Sequence, residues 1–179
     1  HVLASKSQSD LVIGMIGPKR NDPEFYAASL GNSVLGQFGM MGRIGESVRE
    51  KSGLAYHASS SLSAGIGPGT WEVNAGVSPK NLKKAIGLIE QELRKFVKSG
   101  VTKDELADSQ ANYIGRLPLS VESNGGVASA LLNIERYKLG MDYYQRYESV
   151  VRSVTRDSVL ETARKYIDPN RLVISTAGP

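Results

Sequence analysis

Apolar residues recur along this chain with two periods, one near 3.6 residues and one of two, and segments of the two kinds alternate without forming a regular series. The clearest helical stretch is SPKNLKKAIGLIEQELRKFVKSG. Its Leu82, Ala85, Ile86, Ile89, Leu93, Phe96 and Val97 share one face, Ser78 and Pro79 stand at the N-cap and first helical positions, and Gly100 ends it. TKDELADSQANYIGRL follows at once with Thr102 and Glu105 in capping-box spacing. A second helix is therefore predicted to fold back on the first, with Pro118 as its stop. An earlier helix is predicted over 22–38, with Asp22 as N-cap, Pro23 at the first position and Phe25, Leu30, Val34 and Leu35 at helical spacing. Further helical segments are predicted around Asn124 to Leu139 and Arg156 to Tyr166.

Between these lie strand-like runs. LVIGMIG, Leu11 to Gly17, is a short apolar run closed by Pro18 and reads as a strand buried on both faces. AYHASSSLSAG and TWEVNAGV, rich in Ser, Thr, Val and aromatics and separated by IGPG, read as a hairpin; NRLVISTAG reads as a last strand. The pattern predicts an α+β fold: a mainly antiparallel sheet of about four strands with helices packed on one face, in one domain over residues 1–179.

Composition narrows the function classes. With 40% hydrophobic and 22% charged residues the chain is an ordinary folding sequence, and no run approaches the roughly 18 apolar residues of a membrane span. The net charge of +4, from 22 basic against 18 acidic residues, is modest and dispersed. That argues against nucleic acid as a partner, the basic face of the 79–98 helix being the one candidate surface. The absence of cysteine removes disulfides, thiolate ligands and a thiol nucleophile. The opening HVLASKSQSD has neither Met nor the apolar core of a signal peptide, and reads as the start of a piece of something longer.

The two histidines, His1 and His57, have no paired-ligand spacing, so no metal site of this chain's own is expected. No G-x-S-x-G elbow presents a serine, and SSSLS reads as solvated or edge hydroxyls. The glycines Gly36, Gly39, Gly42 and Gly45, three apart, match no phosphate loop; they read as a close-packing device or a flexible hinge. The acid pairs Glu46 with Glu50, Asp104 with Glu105 and Glu90 with Glu92 stand among Lys and Arg on helical segments, as solvated faces do. Arg49 and Tyr56 differ. GESVREKSG reads as a short helix closed by Gly53 in a left-handed cap, after which LAY enters a strand. The reversal sets a guanidinium beside a phenol: two donors for one carbonyl oxygen or carboxylate, or else an Arg capping its own helix beside a half-buried Tyr.

At GRIGESVREKSGLAY the chain resembles the pitrilysin/insulinase family of zinc metallopeptidases, to which mitochondrial processing peptidase and the core subunits of respiratory complex III belong. LVIGMIGP, DPEFYAASLGNSVLG, LKKAIGLIEQELRKFVKSGVTKDELADSQ and VTRDSVLETARKYIDPNRLVIS follow in that family's order, so the resemblance runs from about residue 10 to 178. It implies a clamshell of two related halves. One half carries H-x-x-E-H and the zinc; the other is metal-free and faces it across a chamber that takes unstructured peptides. This chain is similar to the metal-free half, its partner being a separate subunit, as in a heterodimer, or another part of the same longer chain. In that half an Arg and a Tyr seven residues apart reach the substrate at the opposite zinc site, and Arg49 and Tyr56 stand at that spacing. The resemblance also implies that the glycine segment positions the pair. Where relatives have a Gly/Ser-rich run, GQFGMMGRIG keeps the Arg as Arg43 but carries Met40 and Met41, a more apolar surface suited to packing on the opposite half. The alternative within the family is a peptidase-inactive assembly scaffold, as in the complex III core subunits.

Overall fold

The computed structural model describes Val2 and residues 6–179, with the backbone alone over residues 38–41. Four strands, β1 (Ser9–Gly17), β2 (Ala55–Ser63), β3 (Gly69–Val77) and β4 (Val173–Ala177), form one sheet in the order β2-β3-β1-β4 with every neighbouring pair antiparallel. Ile13 pairs with Val73 on one side and Ile174 on the other, and Ser60 pairs with Val73. Period-two alternation sends Leu11, Ile13, Ala58, Trp71, Val73 and Ala75 inward, each buried. The same alternation corrects the expectation that β1 is covered on both faces, since Val12 and Ile16 point outward at 37% and 71% exposure. All the helices gather on the inner face. The outer one is left open and lined mainly by small and polar side chains such as Ser59, Ser61, Glu72 and Asn74.

Helix α1 (Phe25–Gly36) lies against β2 with helices α4 (Lys103–Ser120) and α7 (Arg156–Tyr166) on its other sides, so every residue from Tyr26 to Gly36 is buried. It starts two residues later than the Asp22 cap predicts. The Asp22 carboxylate instead accepts the Lys19 N–H at 2.8 Å and holds the preceding turn. It also stops at Gly36: Gln37 breaks the helical geometry and the chain resumes as α2 (Phe38–Gly45).

After β3, Ser78 makes no side-chain cap; a 3-10 turn over Pro79–Asn81 leads into α3 (Leu82–Ser99), and Gly100 ends that helix at φ 62°. Trp71 and Phe96 meet edge to face in the single core, their centroids 6.4 Å apart. Helix α4 has the expected reciprocal cap between Thr102 and Glu105 and runs two residues past Pro118, which occupies its last turn. It does not fold back along α3. It packs on α1 and on α6 (Tyr143–Ser153), while α3 packs on α7. Helix α5 (Asn124–Tyr137) and α7 lie where the periodicity predicts, whereas α6 has no counterpart in that prediction. Its core face is largely aromatic: the rings of Tyr143 and Tyr147 pack with Tyr26, and the Arg20 guanidinium stacks 4.1 Å from the Phe25 ring while donating to the Tyr143 hydroxyl. Burial pushes the Tyr147 phenol up to about 12.

Candidate functional site

Arg49 and Tyr56 stand on either side of a tight reversal, and buried neighbours fix both ends of it. Helix α2 continues without a break into a π turn, Glu46–Glu50, in which the Lys51 N–H reaches the Glu46 carbonyl at 2.8 Å. Gly53 follows at φ 60°, the left-handed cap the sequence predicts; its N–H donates to the Arg49 carbonyl at 2.9 Å, and the Leu54 N–H to that of Val48 at 3.0 Å. Ile44, Val48 and Leu54 are buried, so Arg49 is turned toward solvent. Its side chain is 34% exposed, with Nε 3.5 Å from a Glu50 carboxylate oxygen.

Tyr56 owes its direction to a bulge. Ala55 lies opposite Val77 and His57 opposite Gly76, so Tyr56 is an extra residue in β2. A bulge re-aims the side chain it carries and shifts the inside-outside parity of the strand beyond it. Here it turns the phenol out to 85% exposure, and the hydroxyl makes no hydrogen bond among the described residues. Among the described residues no hydrogen bond joins Arg49 to Tyr56; they stand seven residues apart on the two sides of the Gly53 reversal. The neighbouring His57 packs over Gly76, where an added Cβ would lie 2.6 Å from its Cε1. His1 lies outside the described residues.

The glycine segment sits directly beneath. A Cβ on Gly36 would lie 2.2 Å from the Ser60 backbone nitrogen, and Gly42, at φ 66°, would bring one within 2.6 Å of the Val34 carbonyl and 2.7 Å of the Gly36 nitrogen. The backbone of α2 thus rests on the end of α1, and α1 on β2. Gly45 is buried; the surroundings of Gly39 and the side chains of Met40 and Met41 lie outside the described residues. Ser60 corrects the reading of SSSLS as solvated hydroxyls: it is buried and donates at 2.7 Å to Asn32 Oδ1, which also accepts from Trp71 Nε1 at 2.8 Å. Sequence reasoning passed over Asn32. Its signal was weak, an amide beside Ser33 in a helix whose other side chains are mostly small or apolar.

Arg43 anchors the segment to the far side of the fold. Its Nε donates to Glu105 Oε1 at 2.7 Å, Nη2 to the second carboxylate oxygen, and Nη1 to the Gly100 carbonyl at 3.0 Å. Burial alone would raise the Glu105 carboxyl; the guanidinium and the Thr102 N–H outweigh it and hold the group below the usual carboxylate range. With the folded value depressed, the contribution is complete above the unfolded carboxylate range, about pH 4.3, and is lost as pH falls through the folded value. Glu105→Gln is therefore expected to lose about 1.5–3 kcal/mol at pH 7, with the gap to wild type closing below about pH 4. Urea melts across pH 3–7 check this, and a gap that stays constant would contradict it.

Of the other acids, Glu46 pairs with Lys51 on an exposed helix face as expected, whereas Glu92 departs from that expectation: its side chain is only 11% exposed and is paired with Lys95. On the basic face of α3, Arg94 is engaged with Asn170 and Pro169. A groove of about 300 Å³ lined by Arg43, Glu46, Glu50, Glu105 and Asp108 contains neither Arg49 nor Tyr56, which stand on open surface. Among the described residues no three His, Cys, Asp or Glu side chains are grouped to hold a metal ion, so no chemistry is assigned to a metal here. Among the same residues, no helix is long and apolar enough to cross a membrane.

The profile of the peptidase M16 inactive domain matches residues 1–113. This chain belongs to that family. The M16 inactive domain described here is 31% identical over 176 residues to an uncharacterized zinc protease of Streptomyces coelicolor, SCO5738, and covers 37% of that protein's length. Among solved structures, a peptidase M16 inactive domain from Pseudomonas fluorescens superposes with TM-score 0.89 at 28% identity, over 97% of this chain and 41% of the other. A chain of complex III from Candida albicans shares the fold, with TM-score 0.83 at 14% identity over 99% of this chain and 44% of its own. The resemblance seen at GRIGESVREKSGLAY is thus a family relationship.

Proposed function

We propose that this M16 inactive domain is a single domain that closes a peptide chamber opposite a zinc-bearing half and presents Arg49 and Tyr56 to the peptide bound between them. The observation that carries the proposal is the bulge at Tyr56. It aims outward a phenol that makes no hydrogen bond among the described residues, three residues after the Gly53 cap that closes the π turn carrying the Arg49 guanidinium. Bulges and π turns each disturb a regular hydrogen-bond ladder, and they recur where a side chain must be placed for function.

The chemistry follows from the donors. Attack on a peptide carbonyl concentrates negative charge on its oxygen. A guanidinium and a phenol fixed in advance stabilise that charge without reorganising as it forms. On open surface, water screens such donors; inside a closed chamber the effective dielectric falls and they act at strength. A second surface is therefore required, and neither bond-making group nor metal is assigned to this chain. The metal-free role agrees with the family's description as an inactive domain and with the naming of its relatives as zinc proteases.

Cleavage of a quenched, unstructured peptide by the zinc-bearing counterpart, by this chain and by the two mixed tests the proposal. Activity is expected in the mixture alone. A mixture no faster than the counterpart would leave this chain as an assembly scaffold, the role its family also contains.

A further inference from the structure

Helix α5 carries more apolar surface than its own chain covers. At about 100° per residue, Ala130 and Ile134 face the core, while Val127, Ala128, Leu131 and Leu132 extend the apolar arc to roughly 200°, twice the stripe a core-facing helix needs, interrupted in the last turn by Glu135, which pairs with Lys138. Val127, Leu131 and Leu132 are 44%, 54% and 61% exposed, and Leu119, in the last turn of α4, is 66% exposed. The outer faces of other helices are charged: α3 shows Lys83, Lys84, Arg94 and Lys95 to solvent. Nor is α5 a fraying end. Ser123 accepts the Gly126 N–H at 3.1 Å, and Lys138 closes the helix in the left-handed conformation. Fourteen residues are marginal as an isolated helix, and the described chain buries Ala130 and Ile134 of them.

We infer that the outer face of α5, centred on Leu131 and Leu132, is the surface on which the zinc-bearing half seats; this rests on the two-half reading above. The length of the relatives selects that occupant. This chain spans 37% of the Streptomyces protease and 41% of the Pseudomonas chain, so in both a larger stretch of polypeptide accompanies the same fold. A companion tethered in one polypeptide meets this face at high effective concentration. The face also has the anatomy of an interface: aliphatic Val127, Leu131 and Leu132 bordered toward the helix end by the exposed Glu135–Lys138 pair, with Ser129, Asn133 and Arg136, all exposed, beyond the other edge.

The test is affinity for the counterpart, measured by calorimetry, for wild type, Leu131→Glu/Leu132→Glu, the milder Leu131→Ala/Leu132→Ala, and a control with the same charges at Lys83 and Lys84. The Glu pair is expected to weaken binding about a hundredfold or more and the Ala pair about tenfold. The control should bind as wild type does, and circular dichroism melts should be unchanged for all. Wild-type affinity in both leucine variants overturns this surface and leaves the two-half reading standing. Variants that convert a self-associated chain to monomer yet bind the counterpart normally assign the face to a second copy and overturn the inference. A wild-type chain that forms no complex sinks the two-half reading, and this surface with it.

Discussion

Arg49→Ala and Tyr56→Phe are each expected to lower peptide turnover by the reconstituted pair by about two to three orders of magnitude, the range seen when one donor to a developing oxyanion is removed. The loss should fall on kcat more than on KM, because the donors act on charge that exists chiefly in the transition state. Tyr56 is exposed and makes no hydrogen bond among the described residues, and the partly exposed Arg49 has only a long ion pair with its neighbour Glu50, so melting temperatures should stay within about 2 °C of wild type. Arg49→Lys keeps the charge but loses the planar fork, and should recover part of the rate. If the two donors converge on one oxygen, the double variant loses less than the product of the single losses. Lower stability with unchanged turnover per folded molecule would mean that the pair is structural.

Gly36→Ala is expected to destabilise the fold by about 3 kcal/mol or more, because the new methyl meets the Ser60 backbone nitrogen and hydroxyl at 2.2 and 2.3 Å, where neither β2 nor α1 has room to move. Gly42→Ala should be comparable, since it combines a left-handed backbone with backbone contacts at 2.6 to 2.8 Å. Gly53→Ala is the contrast. It has the same sign of φ, 60°, but open space around it, and should lose only about 1–2 kcal/mol. Urea denaturation of the three variants gives the ranking. Wild-type stability in Gly36→Ala would mean that the segment gives way freely and that close packing is not its role.

Much of this architecture was legible beforehand where one local rule decided the outcome. The capping box at Thr102 and Glu105, the left-handed Gly53 and the hairpin joining β2 to β3 each follow from residues a few positions apart. Where two distant segments had to be known together, the reading fell short. The Asn32 amide, the Ser60 hydroxyl and the Trp71 indole come from a helix and two strands, and nothing within any one segment announces the other two. Glu105 was recognisable as a cap residue, yet its second partner, Arg43, lies 62 positions away. Helix α6 escaped because its core face is largely tyrosine, which hydrophobic periodicity counts poorly.

The sequence by itself determined the α+β class, the antiparallel hairpin, the long amphipathic helix and the family, because turn chemistry, capping and periodicity act over short separations and GRIGESVREKSGLAY is a specific string. The tertiary structure alone decided that one face of the sheet stays open, that β2 bulges at Tyr56, and that α5 is left with bare leucines. Each of these depends on which surfaces the rest of the chain reaches, and burial is a property of the assembled fold. A period-two strand is compatible with cover on either face, and an apolar helix face is core or interface according to what comes to lie against it.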